Sequence, residues 1–318
     1  MLNRYFPIFI VFMALGAVSA LGQGIPALSF EIKKPEHLEN KKLGSEKTGE
    51  KKFTLPRHVI QNTVTHFNWF FNANEKLKSI LEQAKISHKD DYTQLLSFYN
   101  YSLDQTAKDT AELDSIIIKT NSGILLHDLR NDWIDNLYLL MGKAFYYSKQ
   151  FDTALLSFQY INYAFAPKEK DGYDKTIGSN ESEGGNAFSI STPESRNPLN
   201  AISGRPPSRN EAFLWLIRTY IAKEEFPEAA GLIETLKEDP NFPKRLASSF
   251  YEMQALWYYE QKNYDSAAVY LEKALPAAAN HEERARWEYL AGQLYALSKD
   301  LDKAAELDRK STRLNSSH

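Results

Sequence analysis

One pattern recurs four times in the second half of the chain and constrains its fold more than any other feature. Each copy has a small or apolar residue, an aromatic residue three positions later, and an alanine twelve positions after the first. The first positions are Gly142, Ile217, Ala255 and Gly292, and the alanines are Ala154, Ala229, Ala267 and Ala304. A helical hairpin cannot bury its own apolar face, so repeated hairpins stack. The pattern therefore predicts an all-α solenoid in which small residues let paired helices approach closely.

The pattern resembles the tetratricopeptide repeat, a helical hairpin of about 34 residues. The resemblance implies a first repeat at 135–166 and repeats two to four within 210–307, the fourth truncated. Successive alanines are 38 and 37 residues apart in the last two intervals but 75 apart in the first. We therefore expect one inserted loop at 167–209. Its glycine, proline, asparagine and serine content is incompatible with regular helix.

Residues 55–134 lack the repeat pattern but have helical apolar spacing, which predicts non-consensus helical hairpins. Two helices are expected between Val59 and Ala84, with the chain turning at Asn72 or Asn74. A loop is expected at Ser87–Tyr101. Two further helices are expected, at Thr106–Lys119 and Ile124–Leu129.

The first 22 residues have the layout of a secretory signal peptide. Arg4 is followed by the apolar run Tyr5–Val18 and then by small residues. The alternative is a membrane anchor, but 14 residues fall short of the roughly 20 that span a bilayer. Residues 23–54 alternate lysine with glutamate, which predicts a flexible tether. A basic segment that contacts the membrane is the alternative.

The last eleven residues, Asp308–His318, resemble the in-frame translation of a sequencing adapter. The fourth repeat fails where they begin, since Asp308 stands at its next apolar position. We therefore expect this segment to be an artefact and the chain to be an N-terminal fragment.

Charge and composition exclude several classes of function. The formal net charge is −3, which does not favour nucleic-acid binding. The chain has no cysteine, so it has no disulfide, no thiol nucleophile and no lipid-anchor cysteine. Nucleotide-binding and serine-nucleophile motifs are absent, and no histidine pair has metal-ligand spacing. The sequence predicts no metal site, no cofactor and no small-molecule substrate.

An acidic cluster, Asp128, Asp132 and Asp135, precedes the first repeat. Aspartate is favoured at helix N-termini by the exposed amides and the helix dipole, so these residues are expected to cap a helix. The alternative, a calcium loop, would need a central glycine that the segment lacks.

The repeat resemblance also implies which side chains face the concave groove of the solenoid. Carried onto this chain, they include Asn136, Lys143, Tyr146, Tyr147, Arg218, Tyr259, Arg286, Tyr289 and Gln293. Tyrosine and arginine suit protein recognition, so the groove is the expected protein-binding surface. For the three tyrosines on the first and third repeats, packing between neighbouring hairpins is the alternative.

Four stretches carry a more specific resemblance: Thr54–Asn74, Ile124–Phe145, Tyr160–Asn186 and Ala285–Leu294. They are similar to long periplasmic tetratricopeptide lipoproteins of bacteria that use type IX secretion and gliding motility. The resemblance implies a non-enzymatic scaffold that binds other envelope proteins, exported to the periplasm and associated with the outer membrane. The missing lipid-anchor cysteine departs from that family. A generic adaptor in another envelope or regulatory pathway, or an enzyme domain further along the chain, are the alternatives.

Overall fold

Helices form every regular element in the part of the chain that the computed structural model describes. That part is residue 32 and residues 34–50, 52–166, 189–194 and 207–315; for 308 and 310–315 only the backbone is described. The α-helices are α1 (Leu55–Val64), α2 (Asn72–Ser87), α3 (Leu103–Thr106), α4 (Thr110–Leu126), α5 (Ile134–Tyr147), α6 (Phe151–Ala164), α7 (Arg209–Ala222), α8 (Phe226–Lys237), α9 (Ala247–Glu260), α10 (Tyr264–Ala274), α11 (His281–Leu297) and α12 (Leu301–Asn315). Short 3-10 helices lie at Glu36–Leu38, Ser45–Lys47, Lys244–Leu246 and Leu275–Ala277.

Four helical hairpins, α5/α6, α7/α8, α9/α10 and α11/α12, stack along the chain and confirm the predicted all-α, solenoid-like fold. Ala154, Ala229 and Ala267 are fully buried where the two helices of a hairpin meet. A Cβ added at Gly142 would lie 2.5 Å from Cε1 of Phe158. The first hairpin thus requires glycine at this position.

The turn inside each hairpin has the same geometry in all four. One residue of each turn, Lys149, Glu224, Lys262 or Lys299, is left-handed, with φ between 60° and 69°. The amide of the next residue then donates to the carbonyl of the repeat's aromatic residue, as from Gln150 to Phe145 at 2.9 Å. This bond caps a helix C-terminus. The four copies of the sequence pattern therefore correspond to four hairpins with one turn geometry.

The predicted turn at Asn72 or Asn74 is wrong. Helix α1 continues through a π-helical segment, Thr65–Phe71, directly into α2. Asn72 remains helical and donates from its side chain to the carbonyl of Asn68 (3.1 Å), so it supports the helix instead of ending it. The π-helical segment and α2 pack against α4, which supplies the second helix of this N-terminal hairpin.

The two helices predicted around Gly123 are one helix, α4. A Cβ added at Gly123 would lie 2.8 Å from Cδ1 of Leu137 and 3.0 Å from Cβ of Trp69. Gly123 therefore permits close packing inside the helix bundle and does not end a helix.

Helix α1 turns its polar side toward the protein. Asn62 donates to Asp132 at 2.7 Å and accepts from the amide of Asp132 at 3.1 Å. Arg57 pairs with Asp128 at 3.1 Å, and the Arg130 hydrogen bond holds the pKa of Asp128 below its ordinary value. On the outer side of α1 and of the π-helical segment that continues it, five large apolar side chains are exposed: Leu55, Val59, Ile60, Phe67 and Phe71.

This arrangement corrects the capping prediction for Asp128 and Asp132, whereas Asp135 lies in the first turn of α5 and accepts from the amide of Asn136 at 2.8 Å. Asp128 and Asp132 tether α1, and at the start of α5 the amide of Trp133 bonds the side chain of Asn131 at 2.9 Å. Within the described ranges, no group of three or more candidate metal ligands is found.

Part of the predicted tether is docked on α4. Leu43 is buried, and Ser45 donates to the carbonyl of Leu125 at 2.9 Å. The amide of Leu129 donates to Thr48 at 3.0 Å. Residues 43–48 are therefore packed on the helices. One buried leucine and two hydrogen bonds stabilise this packing, although the segment is mostly polar.

Two other predictions fall mainly on undescribed residues. The predicted signal segment 1–22 and most of the loop 167–209 lie outside the described residues. In the part that is described, no helix combines the length and the apolar character needed to cross a bilayer.

Candidate functional site

The concave side of the solenoid is occupied by a non-helical segment of the same chain. This segment, His88–Tyr101, which we call the strap, joins α2 to α3. It ends at a capping box in which Ser102 accepts from the amide of Gln105 at 3.2 Å and donates its own amide to the Gln105 side chain at 3.1 Å. The strap contacts the first helices of the hairpins, where the groove residues were predicted.

At the α11 end, Arg286 holds the strap through a bidentate ion pair. Its Nε and Nη2 donate to the two carboxylate oxygens of Asp90 at 2.7 and 2.8 Å. The remaining donors reach the carbonyls of Ser97 (2.7 Å) and Phe98 (3.0 Å). The Arg286 hydrogen bonds lower the pKa of Asp90 below its ordinary value. The buried guanidinium is thus satisfied entirely by the strap.

Three groove side chains bind the backbone of the strap. Gln293 donates to the carbonyl of Gln94 (2.7 Å) and accepts from the amide of Leu96 (3.0 Å). The hydroxyl of Tyr259 donates to the carbonyl of Leu96 (2.8 Å), and that of Tyr289 donates to a strap carbonyl at 3.2 Å. Hydrogen bonds to backbone atoms fix the path of the strap without specifying its side chains.

Two apolar strap residues fill the middle of the groove. Leu96 is 2% exposed and Phe98 is 3% exposed. The ring of Phe98 lies 5.6 Å from that of Tyr259 and 6.3 Å from that of Trp287. Burial of these two side chains adds a hydrophobic contribution to the binding of the strap.

At the other end, Arg218 lies among aromatic rings. Its guanidinium is 4.3 Å from the ring of Tyr99, 5.0 Å from Trp215 and 5.6 Å from Tyr146, all within cation–π range. It donates one hydrogen bond to the hydroxyl of Tyr101. Its Nε is buried and has no hydrogen-bond partner among the described residues.

The phenol of Tyr99 joins the strap to α9. It donates to Glu252 at 2.7 Å. Burial raises the pKa of Tyr99 and Tyr101 well above the ordinary value, and burial also raises the pKa of Glu252. Both tyrosines are therefore neutral at this end of the groove, where the Tyr99 hydroxyl donates to Glu252 and the Tyr101 hydroxyl accepts from Arg218.

The structure brings six of the nine predicted groove residues to the strap: Tyr147, Arg218, Tyr259, Arg286, Tyr289 and Gln293. The other three bind elsewhere in the chain. Lys143 pairs with Glu211 at 2.7 Å, and Asn136 donates to Asp135 at 2.9 Å. Tyr146 packs against Trp215 of the next hairpin at 5.5 Å between ring centroids.

Both alternatives for the tyrosines therefore occur. Tyr146 packs between hairpins, Tyr259 bonds the groove occupant, and Tyr147 does both, with Trp215 at 5.9 Å and the strap's Tyr101 at 6.1 Å.

Sequence reasoning did not identify the strap as the occupant of the groove. The available signal was the run LLSFYNY inside a predicted loop, because surface loops rarely carry so many large apolar and aromatic side chains. The residues that the strap contacts lie up to 199 positions away in the chain, which local periodicity cannot indicate.

A second anchored segment lies on α7 and the turn after α8. Asp239 accepts from the Ser189 hydroxyl at 2.6 Å and from the amides of Ile190 and Ser191 at 2.9 and 2.8 Å. Burial alone would raise the pKa of Asp239, but these hydrogen bonds outweigh it and the pKa is lowered. Residues 189–194 of the predicted insertion are thus fixed to the solenoid by Asp239, and Arg209 and Asn210 of α7 donate further bonds to the carbonyls of Ile190 and Thr192.

Cavities flank the strap at both ends. One of about 500 Å³ lies beside Asp90, Tyr92, Arg286 and Tyr289. The other, of about 270 Å³, is lined by Tyr99, Tyr101 and Arg218 together with Glu224 and Glu260. The strap therefore occupies the groove without filling it.

Comparison with known proteins assigns this chain to no family. No family model matches the chain, and no curated protein matches it. Among solved structures, it is similar to the crystal structure of BtubC (BKLC) from P. vanneervenii, with 14% identity over 84% of this chain and 92% of that chain and a TM-score of 0.41. The identity and the TM-score are too low to transfer a function.

Proposed function

We propose that the chain is a non-enzymatic protein-interaction scaffold of the bacterial cell envelope, associated with type IX secretion or gliding motility. In this proposal its four hairpins are tetratricopeptide repeats, and the concave groove is the surface that binds other envelope proteins.

One observation carries the proposal: the groove already binds polypeptide. Arg286, Tyr259, Tyr289 and Gln293 all bond backbone atoms of a non-helical segment. A surface whose polar side chains bond backbone amides and carbonyls is chemically suited to peptides.

The place of action rests on the sequence. The signal-like first 22 residues support export, and the four stretches that resemble periplasmic tetratricopeptide proteins support an envelope partner. The repeat pattern and the shared turn geometry of the hairpins support the repeat assignment.

Site-specific photo-crosslinking in cells tests the proposal. The full chain would be produced in a bacterium that uses type IX secretion, with a photoreactive amino acid in place of Tyr289 at the groove. The matched control places it at Glu234, an exposed residue of α8. We expect envelope proteins of the secretion or motility machinery to be crosslinked from position 289 and not from position 234.

Two results would count against the proposal. Recovery of cytosolic proteins alone would contradict an envelope scaffold. Equal crosslinking from positions 289 and 234 would contradict the groove as the binding surface.

A further inference from the structure

We infer that the strap is an exchangeable internal ligand, and that the groove's partner is a non-helical segment with the strap's chemistry. This inference rests on the proposed function, because it names the class of partner and how the partner gains access. The partner would bind by displacing the strap, so the free protein is self-occupied.

The strap is separable from the helices on either side of it. Helix α2 ends at Ser87, and the capping box that starts α3 uses Ser102 and Gln105. His88, the first residue of the strap, is the C-cap of α2, and its amide donates to the carbonyl of Lys85 at 3.2 Å. The main contacts of residues 89–101 go to α7, α9 and α11, so releasing these residues removes no helix cap.

The strap is also an incomplete occupant. Asp91, Tyr92, Thr93 and Gln94 are exposed, and cavities of about 500 and 270 Å³ remain beside its two ends. At the smaller cavity the buried Nε of Arg218 has no partner among the described residues. The groove thus has volume and a donor that the strap does not use, which leaves room for a competing segment.

The contacts define the partner's chemistry at the α11 end. Arg286 forms a bidentate pair with a carboxylate, a geometry that selects aspartate or glutamate. Gln293 and Tyr259 then require a backbone amide and a backbone carbonyl six residues further on, at the position of Leu96.

At the α7 end the groove requires neutral aromatic residues. Arg218 stacks on aromatic rings and donates a hydrogen bond to a phenol oxygen, while Glu224 and Glu260 line the same cavity and would repel a second carboxylate. The partner therefore enters with an acidic residue toward α11 and an apolar, aromatic stretch toward α7. Along its sequence, the partner has residues equivalent to the strap's Asp90, Leu96, Phe98, Tyr99 and Tyr101, in that order.

Peptide binding measures the exchange directly. The probe is a fluorescent synthetic peptide of residues 88–102, and the readout is fluorescence anisotropy with the purified full chain. The Asp90→Asn protein has a weakened strap, so a larger fraction of it is open and its apparent affinity rises in proportion. We expect this variant to bind the peptide about tenfold more tightly than the unsubstituted protein.

Two controls show that the peptide binds in the groove. The chain has no cysteine, so Tyr92→Cys and Tyr289→Cys can be joined selectively by a short bis-maleimide, and the joined protein should not bind. Peptides carrying D90N or F98S should bind the Asp90→Asn protein at least tenfold more weakly, and they leave the protein's own fold untouched.

Hydrogen exchange gives a readout that needs no ligand. Among the described residues, the amide of Leu96 bonds Gln293, so a strap that detaches while the solenoid stays folded exposes it. We expect this amide to exchange at least tenfold faster than the buried amides of α11.

The inference is overturned if the folded Asp90→Asn protein does not bind the peptide, or if Leu96 is protected as strongly as α11. It is also overturned if the crosslinked protein binds the peptide as well as the open one. These results concern purified protein, so they are distinct from a failure to crosslink envelope proteins in cells.

Discussion

At the residue scale, this protein uses charged residues where glycine is usual. The four hairpin turns each contain a left-handed lysine or glutamate. A left-handed conformation costs about 1–2 kcal/mol for a residue with a side chain, and glycine avoids that steric cost. The turns are therefore held by their helix-capping hydrogen bonds, such as the one from Asn263 to Tyr258 at 3.0 Å, against a local conformational penalty.

Lys262→Gly should stabilise the protein. Lys262 has φ of 60° and an exposed side chain, so glycine removes strain and loses no buried contact. We expect the free energy of unfolding to rise by about 0.5–1 kcal/mol, measured by urea denaturation. Lys78→Gly, on an exposed face inside α2, should lower it by about 1 kcal/mol. Destabilisation by both substitutions would contradict the left-handed turn.

The Asp90–Arg286 pair should make the free energy of unfolding depend on pH in the acidic range. A carboxyl whose pKa is lowered on folding stabilises the folded state above its ordinary pKa of 3.8, and this contribution is lost as the pH falls through the lowered pKa. We expect Asp90→Asn to cost about 1.5–3 kcal/mol at neutral pH. The difference from the unsubstituted protein, followed by urea denaturation, should shrink below about pH 4. A difference that is constant from neutral to acid pH would show that the pair contributes no charge effect.

At the element scale, glycine has opposite meanings in two helices of the solenoid. In α5, Gly142 lies against Phe158, while in α8 a Cβ added at Gly231 meets nothing within 4 Å. The first glycine is required by helix contact, and the second only weakens its helix. The approach of α5 to α6 is thus set by the absence of a single methyl group.

Substituting alanine at both positions separates these effects. Gly142→Ala should destabilise the protein by about 1–3 kcal/mol, because the Phe158 ring must move. Gly231→Ala should stabilise it by about 0.5–1 kcal/mol through helix propensity. Thermal unfolding of the two variants checks the signs, and two changes of the same sign would mean that the α5/α6 contact is looser than described.

At the scale of the whole molecule, the strap contacts several hairpins at once. In a solenoid each repeat contacts only its neighbours, and stability is close to a sum over repeats. Here Tyr101 bonds Arg218 of α7 and Asp90 bonds Arg286 of α11. The strap therefore couples the first helices of three hairpins to the N-terminal hairpin, and we expect the described chain to unfold as one unit.

Phe98→Ala tests this coupling. Phe98 is 3% exposed, so its truncation should cost about 3–5 kcal/mol. The unfolding transitions followed by tryptophan fluorescence and by circular dichroism should then separate, as the hairpins lose their common link. Phe67→Ala, at a side chain that is 57% exposed, should change stability by less than about 0.5 kcal/mol. Coincident transitions in Phe98→Ala would show that the strap does not couple the hairpins.

The repeat half of the fold could be predicted because its information is local. The spacing from Gly142 to Ala154 fits within one hairpin, and the same spacing recurs three more times. The N-terminal half was predicted less well. Asn72 was expected to turn the chain, yet asparagine also bonds a carbonyl four residues back inside a helix, and its sequence context does not distinguish the two.

Only the groove side of the candidate site could be predicted from the sequence. The offsets implied by the repeat resemblance placed Arg286, Tyr289 and Gln293 in the groove, where they lie. Their partners, Asp90 to Leu96, belong to a loop whose path depends on tertiary packing and not on periodicity. The exposed side of α1 was missed for the same reason, since Asn62 faces inward only because Asp132 is placed to bond it.

The strap also sets an order of events during biosynthesis. Asp90 precedes its partner Arg286 by 196 residues, so the ribosome makes the strap long before the end of its groove. Until α11 emerges, Leu96 and Phe98 have no complete site, and the nascent chain carries an exposed apolar segment of the kind that chaperones bind. Completion of the groove therefore waits until α11 has been made, and any shortening of the chain before α11 leaves that segment without its complete site.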